Sequence, residues 1–435
     1  MNKDKLTITR RTFYLERLLN LATNDNLVFV VGVRRSGKSC LAIQLEKELS
    51  DRCTKGERVV RYNFEITNDL QTTAETMIAE FQKKHVEGKK CYIILDEIMR
   101  FNNWKTVVNF FTENTDCKLF LFSSNRCIIS DGLTAVKKNN CDVIEMLPPS
   151  LPEFISFQGF EEITPKNTPL LQKQYRRFGE KTYTLEEIYK FYITCGELTI
   201  LKPEYMDIES AWAFLEGLYG AVVTRDVLEV ASKDGMSAVT DPILLRNVVS
   251  VMAKSIGNNI SAYQISKQTI NCLQRYAAAK TVDSYIRALL NAHFFYAAER
   301  YDIRSGQMLK TLAKYYIVDA GLYNYLTGTQ AENEIYLLES RVFFELVRRG
   351  YHVCNGKLGQ KEIHFVAWDK FGKFYVQVAD ELNEKNLEDI LSTLRMINDN
   401  HPKTVIVFNG NSEITKDGII ILNALDFLMG HPLGR

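Results

Sequence analysis

A glycine-bounded segment near the start of the chain has the residue types and spacing of a phosphate-binding loop. The segment GVRRSGKS fits the pattern G-x-x-x-x-G-K-[ST] and follows the apolar run LVFVV. Glycines let such a loop wrap so that backbone N–H groups face phosphate oxygens, and the next helix points its positive end at them. Lys38 would reach the β- and γ-phosphates of ATP, and the Ser39 hydroxyl would bind Mg²⁺. The predicted nucleotide contacts in the loop are Gly32, Arg35, Ser36, Gly37, Lys38, Ser39 and Cys40.

An acidic pair follows a second apolar segment, CYIILDEI, which reads as a buried strand ending in Asp96 and Glu97. A carboxylate at the carboxyl end of such a strand can hold the water shell of Mg²⁺. Asp96 is therefore the predicted metal ligand beside Ser39. Glu97 is predicted to orient and deprotonate the attacking water, as the catalytic residue alongside Lys38. Without a phosphate-binding loop, such a pair would read as a solvated turn.

A third polar group ends the apolar segment LFLFSSN. If this segment is a strand between the other two, a side chain at its end can position the water or touch the γ-phosphate. Ser124 and Asn125 are both candidates, and the sequence does not choose between them. The alternative is an ordinary cap at the end of a strand.

Two arginines, Arg34 and Arg35, lie inside the loop itself. They could contact phosphate or a neighbouring subunit, or they could be solvent-exposed loop residues. The sequence leaves both interpretations open.

The elements that must position these residues alternate along the chain, which predicts an α/β domain with a parallel sheet. Short apolar or β-branched segments read as buried strands, and helix-like stretches lie between them. The predicted strands are 27–33, 58–64, 91–95, 118–122 and 142–147, and the predicted helices are 38–50, 70–86 and 103–115.

The alternating pattern ends at the proline-rich segment LPPSLPEF, which predicts a change of architecture. We therefore divide the chain into a P-loop domain, residues 1–155, a mostly helical region, residues 156–330, and a small α/β domain, residues 331–435. Within the middle region, residues from about 240 to 305 read as a helix–turn–helix followed by a β-wing. The last domain reads as a small α/β unit that begins with a helix and continues as two strands, a helix and two more strands.

Composition narrows the class of protein further. The 435 residues carry a net charge of +1, so the whole-chain charge gives no indication of nucleic-acid binding. The nine cysteines are odd in number and lack CxxC spacing, which favours reduced core residues. The first residues lack the apolar stretch of a signal peptide, and no apolar run approaches the ~20 residues that span a bilayer. We therefore expect a cytoplasmic protein without a membrane segment.

The chain resembles prokaryotic AAA-type ATPases that join an N-terminal P-loop domain to a C-terminal domain of unknown function. The resemblance covers nearly the whole chain. It rests on many short motifs in order, among them GVRRSGKS, IILDEIMRFNNW, LFSSN, MLPPSLPEF, YITCGELT, TVDSYIRALLNAHFFYAAERYD, KYYIVDAGLYNYLTG and LLESRVFFELVRRGYHV. It implies an ASCE-type P-loop fold, ATP binding and hydrolysis, a winged-helix segment, and a C-terminal fold like the PD-(D/E)xK nucleases.

One departure from that family concerns positive charge at the ATP site. Family members often carry a Gly-Arg pair before the strand that leads to the proline-rich junction, and that arginine is a candidate arginine finger. Here the matching residues are Asn139 and Asn140. Arg126, Lys137 or Lys138 could substitute for it, or hydrolysis is slow, because asparagine supplies no charge to the transition state.

A second departure concerns the nuclease-like domain. An active site there needs an acidic residue followed by (Asp/Glu)-x-Lys on the next strand, to hold Mg²⁺ and activate water. Glu339 fits on the leading helix, but the Asp position is His364 and the last motif reads Gln377-Val378-Ala379. We therefore expect no DNA cleavage.

The resulting hypothesis is an ATPase that acts as a conformational switch or motor. The alternative is a regulatory protein in which slow ATP hydrolysis times an interaction, and a DNA-processing enzyme is a third class. We expect a protein partner or a homo-oligomer. DNA contact has weak support, because the predicted recognition helix carries few basic residues, Lys280 and Arg287, together with Asp283.

Overall fold

The computed structural model forms two compact units. The first comprises Met1–Leu147 with Asn291–His293, and the second comprises Pro148–Leu290 with Phe294–Arg435. The residues described are 10–24, 27–65, 73–101, 103–113, 117–135, 141–177, 179, 181–198, 208–229, 239–273, 277–328, 334–383 and 386–433. No helix among these residues has the length and apolar character needed to cross a lipid bilayer.

The first unit contains a five-stranded parallel sheet with the strand order β2-β3-β4-β1-β5. Its strands are β1 Leu27–Val31, β2 Arg58–Asn63, β3 Cys91–Asp96, β4 Cys117–Ser123 and β5 Cys141–Glu145. Its helices are α1 Thr12–Leu21, α2 Lys38–Arg52, α3 Ala74–Lys84, α4 Trp104–Glu113 and α5 Cys127–Ala135. The predicted parallel α/β architecture is confirmed, and so are its five strands and three helices.

Alternation along β1 explains the two apolar layers of this unit. Phe29 faces one side of the sheet, where it packs with residues of α3 and α4 such as Met77 and Phe111. Val30 faces the other side and packs with residues of α1 and α2 such as Leu18. Because both faces are covered by helices, the strand can be apolar throughout, as the sequence LVFVV is.

The register of the sheet brings the carboxyl ends of its strands to one edge. Val31 lies opposite Ser123 of β4 and Glu145 of β5. On the other side, Asp96 lies opposite Asn63 of β2. Ligands of open α/β sheets bind at this edge. Every predicted site residue of the first unit follows one of these strand ends.

The proline-rich junction begins the second unit with a helix, α6 Leu151–Phe157. Ser150 accepts a hydrogen bond from the Glu153 backbone, and the Glu153 side chain accepts one in return from the Ser150 backbone, with a proline in the first turn. This arrangement satisfies N–H groups that the helix cannot pair internally. The prolines therefore mark a helix start, as well as the change of architecture that the sequence predicts.

The second unit is helical in its first half. The helices are α7 Leu185–Cys195, α8 Ile208–Ala221 with a π-helical continuation Val222–Glu229, α9 Pro242–Lys254, α10 Ala262–Leu273, α11 Ala279–Asn291 and α12 Ala320–Thr327. A small antiparallel sheet precedes α7 and consists of β6 Glu161–Glu162, β7 Gln174–Arg176 and β8 Thr182–Thr184.

Its second half is a mixed eight-stranded sheet with the order β10-β9-β11-β12-β13-β14-β16-β15. The strands are β9 Phe295–Asp302, β10 Gln307–Ile317, β11 His352–Leu358, β12 Lys361–Asp369, β13 Gly372–Glu381, β14 Lys403–Asn409, β15 Glu413–Ile414 and β16 Ile420–Asn423. The accompanying helices are α13 Glu334–Arg348, α14 Leu387–Arg395 and α15 Ala424–Leu428. The β9–β10 hairpin pairs with β11, so strands on both sides of residue 330 share one sheet.

Candidate functional site

The loop between β1 and α2 folds around the side chain of Lys38. The Lys38 ammonium donates to the carbonyl oxygens of Gly32, at 2.9 Å, and Val33, at 3.0 Å. The side chain is 4% exposed, so the loop holds its positive charge inside its own curve. A cation enclosed by a ring of backbone groups at a helix N-terminus is suited to bind an anion of phosphate shape.

Two glycines give this loop its shape. Gly37 has a φ of 94° directly before α2, in the left-handed region that glycine adopts without strain. Gly32 has little room for a side chain, since a Cβ there would lie 2.2 Å from the carbonyl oxygen of Met146. Both fixed glycines of the motif therefore have a structural reason.

The other predicted loop residues differ in exposure. Arg35 has a φ of 66° and is exposed, and Cys40 is exposed at the start of α2. Ser36 is 2% exposed, and Ser39 hydrogen-bonds the Asp96 carboxylate. The structure thus buries Ser36 in the loop and leaves Ser39 half-buried in the first turn of α2, and it places the side chains of Arg35 and Cys40 where solvent or a ligand can reach them.

Asp96 is the most deeply buried carboxylate of the site. It ends β3 with 0% exposure, and its Oδ2 accepts a hydrogen bond from the Asn63 side chain at 3.2 Å. Burial raises the pKa of Asp96 to about 6, and the Ser39 hydrogen bond and the Lys38 charge oppose that rise. Its Oδ1 has no hydrogen-bond partner among the described residues. A buried carboxylate oxygen that lacks a donor, next to a serine hydroxyl, fits the oxygen ligands that Mg²⁺ requires.

Glu97 is held in an unusual backbone conformation beside Asp96. Its φ is 55°, in the left-handed region, and its N–H donates to the carbonyl oxygen of Phe122. The Oε2 atom accepts bonds from the Ser124 N–H at 3.3 Å and the Ser124 hydroxyl at 3.1 Å, and Oε1 lies 3.9 Å from Lys38 Nζ. Strained backbone geometry clusters at functional sites, where surrounding contacts maintain it.

The Ser124 side chain contacts Glu97 in this structure. The Asn125 side chain accepts a hydrogen bond from the Cys127 N–H at 2.9 Å, at the start of α5. Ser124 and Asn125 both remain predicted contacts of the water or the γ-phosphate. Asn139, Asn140, Lys137 and Lys138 lie outside the described residues, and Arg126 lies 3.7 Å from Glu145.

Arg11 is part of this site, although no pattern in the sequence pointed to it. Its guanidinium is buried and donates to the carbonyl oxygens of Ser36, at 2.9 Å, and Leu147, at 3.1 Å. The guanidinium also lies over the Tyr14 ring, whose hydroxyl accepts from the Leu147 N–H. Arg11 therefore ties the phosphate-binding loop to the end of β5. Two adjacent arginines before a helix give no spacing signal that would have revealed this role.

Asn63 was also missed, although a signal existed. It ends β2, and parallel strands end at the same edge, so its amide can reach Asp96. A polar residue closing the second predicted strand could have been added to the site on that ground alone.

A separate polar cluster lies in the second unit, around Lys314 of β10. The Lys314 ammonium is 2.9 Å from Glu339 Oε1 on α13 and 2.6 Å from Glu362 Oε1 on β12. Both nearby carboxylates raise the pKa of Lys314, although burial opposes this rise. Tyr316 also donates to Glu339, at 2.6 Å.

This cluster includes the residues that the sequence matched to a nuclease site. His364 Nε2 lies 3.7 Å from Glu339 Oε2, and His364 Nδ1 is in contact with the Gln377 side chain. Burial lowers the pKa of His364. Glu339, His364 and Gln377 therefore lie together. The Lys314 ammonium lies between the carboxylates of Glu339 and Glu362. Across the described part of the chain, no group of three or more His, Cys, Asp or Glu side chains is arranged to hold a metal ion.

Comparison with known proteins agrees with the P-loop geometry of the first unit. Residues 24–155 match a family model described as an AAA domain, and residues 204–333 match one described as a domain of unknown function, DUF8612. An uncharacterized protein of Haemophilus influenzae is 29% identical over 430 residues, covering 98% of this chain and 99% of that protein.

Two solved structures with low overall similarity are also found. The Aeropyrum pernix ORC1 protein in complex with DNA is 12% identical, with 73% of this chain and 92% of that chain covered, at a TM-score of 0.33. AMPPCP-bound DnaA from Aquifex aeolicus is 16% identical, with 64% and 86% covered, at a TM-score of 0.27. On the evidence of the matched family models, the chain carries an AAA domain, which is followed by a domain of unknown function.

Proposed function

We propose that the first unit binds ATP with Mg²⁺ and hydrolyses it, and that the nucleotide state drives a conformational switch or motor. One observation carries the proposal. Lys38, Ser39, Asp96, Glu97 and Ser124 come from three separate segments of the chain, and they meet at the carboxyl edge of one parallel sheet. The AAA domain match over residues 24–155 supports nucleotide binding independently.

Each of these residues has a role that its surroundings fit. Lys38 and the loop N–H groups would bind the β- and γ-phosphates. Ser39 and Asp96 would hold Mg²⁺, which neutralises phosphate charge when bound. Glu97, fixed by Ser124, would orient the attacking water and take its proton. The strand β4 lies between β1 and β3, which supports the ASCE-type arrangement that the family resemblance implies.

The proposal is tested by equilibrium binding of ATP and by phosphate release from the full chain. Lys38→Ala is expected to weaken ATP binding by about 10- to 100-fold, because charge-assisted bonds to phosphate are lost. Glu97→Gln is expected to keep ATP binding and to lower turnover by about 100-fold or more, because the general base is removed. Unchanged ATP binding by Lys38→Ala would refute the proposal.

A second candidate is a regulatory protein that uses ATP as a slow timer. The observation that favours it is that Ser124 fixes the Glu97 side chain, whose Oε2 accepts two hydrogen bonds from Ser124. These two bonds occupy the Oε2 atom, and a partner that withdraws Ser124 would release it. Under this candidate, Ser124→Ala raises basal turnover, whereas a lower turnover favours the switch or motor with Ser124 as a positioning residue.

We also propose that α9 to α11 and the β9–β10 hairpin form a winged helix that contacts a protein partner or a second copy of the chain. In α11, Arg287 is paired with Asp283 at 2.9 Å, which reduces the positive charge that this arginine offers to a phosphate. Duplex DNA binding across a salt series distinguishes the partners. A steep fall of affinity with salt would favour DNA, because each phosphate contact adds to the slope.

A further inference from the structure

The phosphate-binding loop contains a buried arginine, Arg34, whose position the ATP-site roles above do not explain. It is 8% exposed, although arginine is among the residues that are least often buried. Its Nη1 atom lies 2.8 Å from the Oε1 atom of Glu65. Glu65 follows β2, at the carboxyl edge of the sheet. The loop segment therefore contributes a second buried cation in addition to Lys38.

Glu65 connects this arginine to the metal-binding carboxylate. The Glu65 N–H donates to the Asn63 side-chain oxygen at 2.9 Å, and the Asn63 amide donates to Asp96 at 3.2 Å. Arg100, just after the Asp96-Glu97 pair, lies 3.8 Å from the same Glu65 oxygen. The guanidinium groups of Arg34 and Arg100 thus share the Glu65 carboxylate.

The two partners of the Arg34–Glu65 pair differ in burial, which makes the pair exchangeable. The Arg34 side chain is 9% exposed, whereas the Glu65 side chain is 37% exposed. An ion pair with one solvated partner contributes little to stability. A terminal phosphate, with more negative charge and three acceptor oxygens, would compete well for the guanidinium, which binds such groups with two parallel N–H bonds.

We propose that Arg34 is the cation that recognises the terminal phosphate of ATP, and that Glu65 is a positioning residue which holds Arg34 until ATP displaces it. This inference rests on the proposed ATP site. It assigns to the loop itself the positive charge that Asn139 and Asn140 do not carry. ATP and ADP would then be distinguished within a single chain.

The test compares the affinities of Mg²⁺–ATP and Mg²⁺–ADP by calorimetry on full-length variants. Arg34→Ala is expected to weaken ATP binding by about 10-fold and to change ADP affinity by less than about twofold, because only ATP has the third phosphate. Arg34→Lys should recover part of the loss, since lysine retains charge but not the planar fork. Arg52→Ala, which removes an exposed arginine at the far end of α2, is the matched control.

A second variant tests the inference even if Arg34→Ala disturbs the folding of the loop. Glu65→Gln is expected to tighten ATP binding by about threefold, without effect on ADP, because a competitor for Arg34 is weakened. That gain should vanish when Arg34→Ala is combined with it, which a merely structural role of Glu65 would not produce. Equal losses for ATP and ADP in Arg34→Ala, or no loss, would overturn the inference. The proposed ATP site would survive that result if Lys38→Ala still weakened ATP binding as expected above.

Discussion

At the scale of single residues, Asp96 illustrates the conflict between function and stability in this site. Its carboxyl is fully buried, and burial is the main reason that its pKa lies at about 6 and not at its ordinary 3.8. The charged form is therefore disfavoured by the fold, at a cost of ~3 kcal/mol near neutral pH. In the proposed ATP site, Mg²⁺ binding would need that charged form, so metal affinity is expected to fall as pH drops below about 6.

The first prediction follows from this cost. Between pH 4 and 6 the folded protein holds a proton on Asp96 that the unfolded chain has lost, so stability should fall as pH rises through that window. Asp96→Asn should raise the unfolding midpoint of the first unit at pH 8, and its advantage should disappear near pH 4. Thermal unfolding of both proteins across pH, with exposed Asp51→Asn as control, checks this. An advantage that stays constant with pH would contradict it.

At the scale of elements, the loop depends on how closely β1 and β5 are packed. The Met146 N–H donates to the Val31 carbonyl at 2.7 Å, directly before Gly32 begins the loop. This close pairing leaves no space beside the Gly32 Cα, and Arg11 closes the same region from α1. The position of the loop is therefore set by strand pairing as much as by its own sequence.

The second prediction concerns Gly32→Ala. Its methyl group would lie 2.2 Å from the Met146 carbonyl oxygen, so the loop or β5 must move. We expect a loss of ~1–3 kcal/mol in the unfolding free energy of the first unit and a marked loss of ATP affinity. Gly217→Ala is the control, because a Cβ there meets nothing within 4 Å on an exposed helix face. A normal ATP affinity in Gly32→Ala would show that the loop is more adaptable than the structure indicates.

At the scale of the whole molecule, the two units bury charge for different purposes. In the first unit, Lys38 and Asp96 are buried around a site that accepts a ligand. In the second, Lys314 and Glu339 are equally buried but satisfy each other within the protein. A buried pair of this kind is costly to break, since removing one partner leaves an uncompensated charge.

The third prediction separates the units by their unfolding. Lys314→Met should destabilise the second unit by ~3–5 kcal/mol, because Glu339 and Glu362 lose their shared cation. Adding Glu339→Gln should recover part of that loss. Scanning calorimetry with and without Mg²⁺–ATP identifies the unfolding transition of the first unit, because ATP should shift that transition. Lys314→Met should leave the same transition unchanged. An unchanged second transition in Lys314→Met would show that this cluster does not support the fold.

The sequence by itself determined the local parts of this protein. Periodicity located the five strands and three of the helices of the first unit, and the glycine spacing located its loop, because both depend on neighbouring residues only. The helices α1 and α5 were not predicted. The loop motif also identified Lys38 and Ser39 as candidates, and the end of the apolar segment CYIILDEI identified Asp96. The same reasoning could have included Asn63, whose strand end it had already located.

Only the tertiary structure decided which side chains meet across segments that are distant in sequence. It brought the Ser124 side chain to Glu97 and Arg11 to the loop, and it paired Arg34 with Glu65. It also placed the β9–β10 hairpin in the same sheet as the C-terminal strands. These contacts depend on side-chain direction and strand order, which arise from packing the whole unit and leave no periodic signal in the chain.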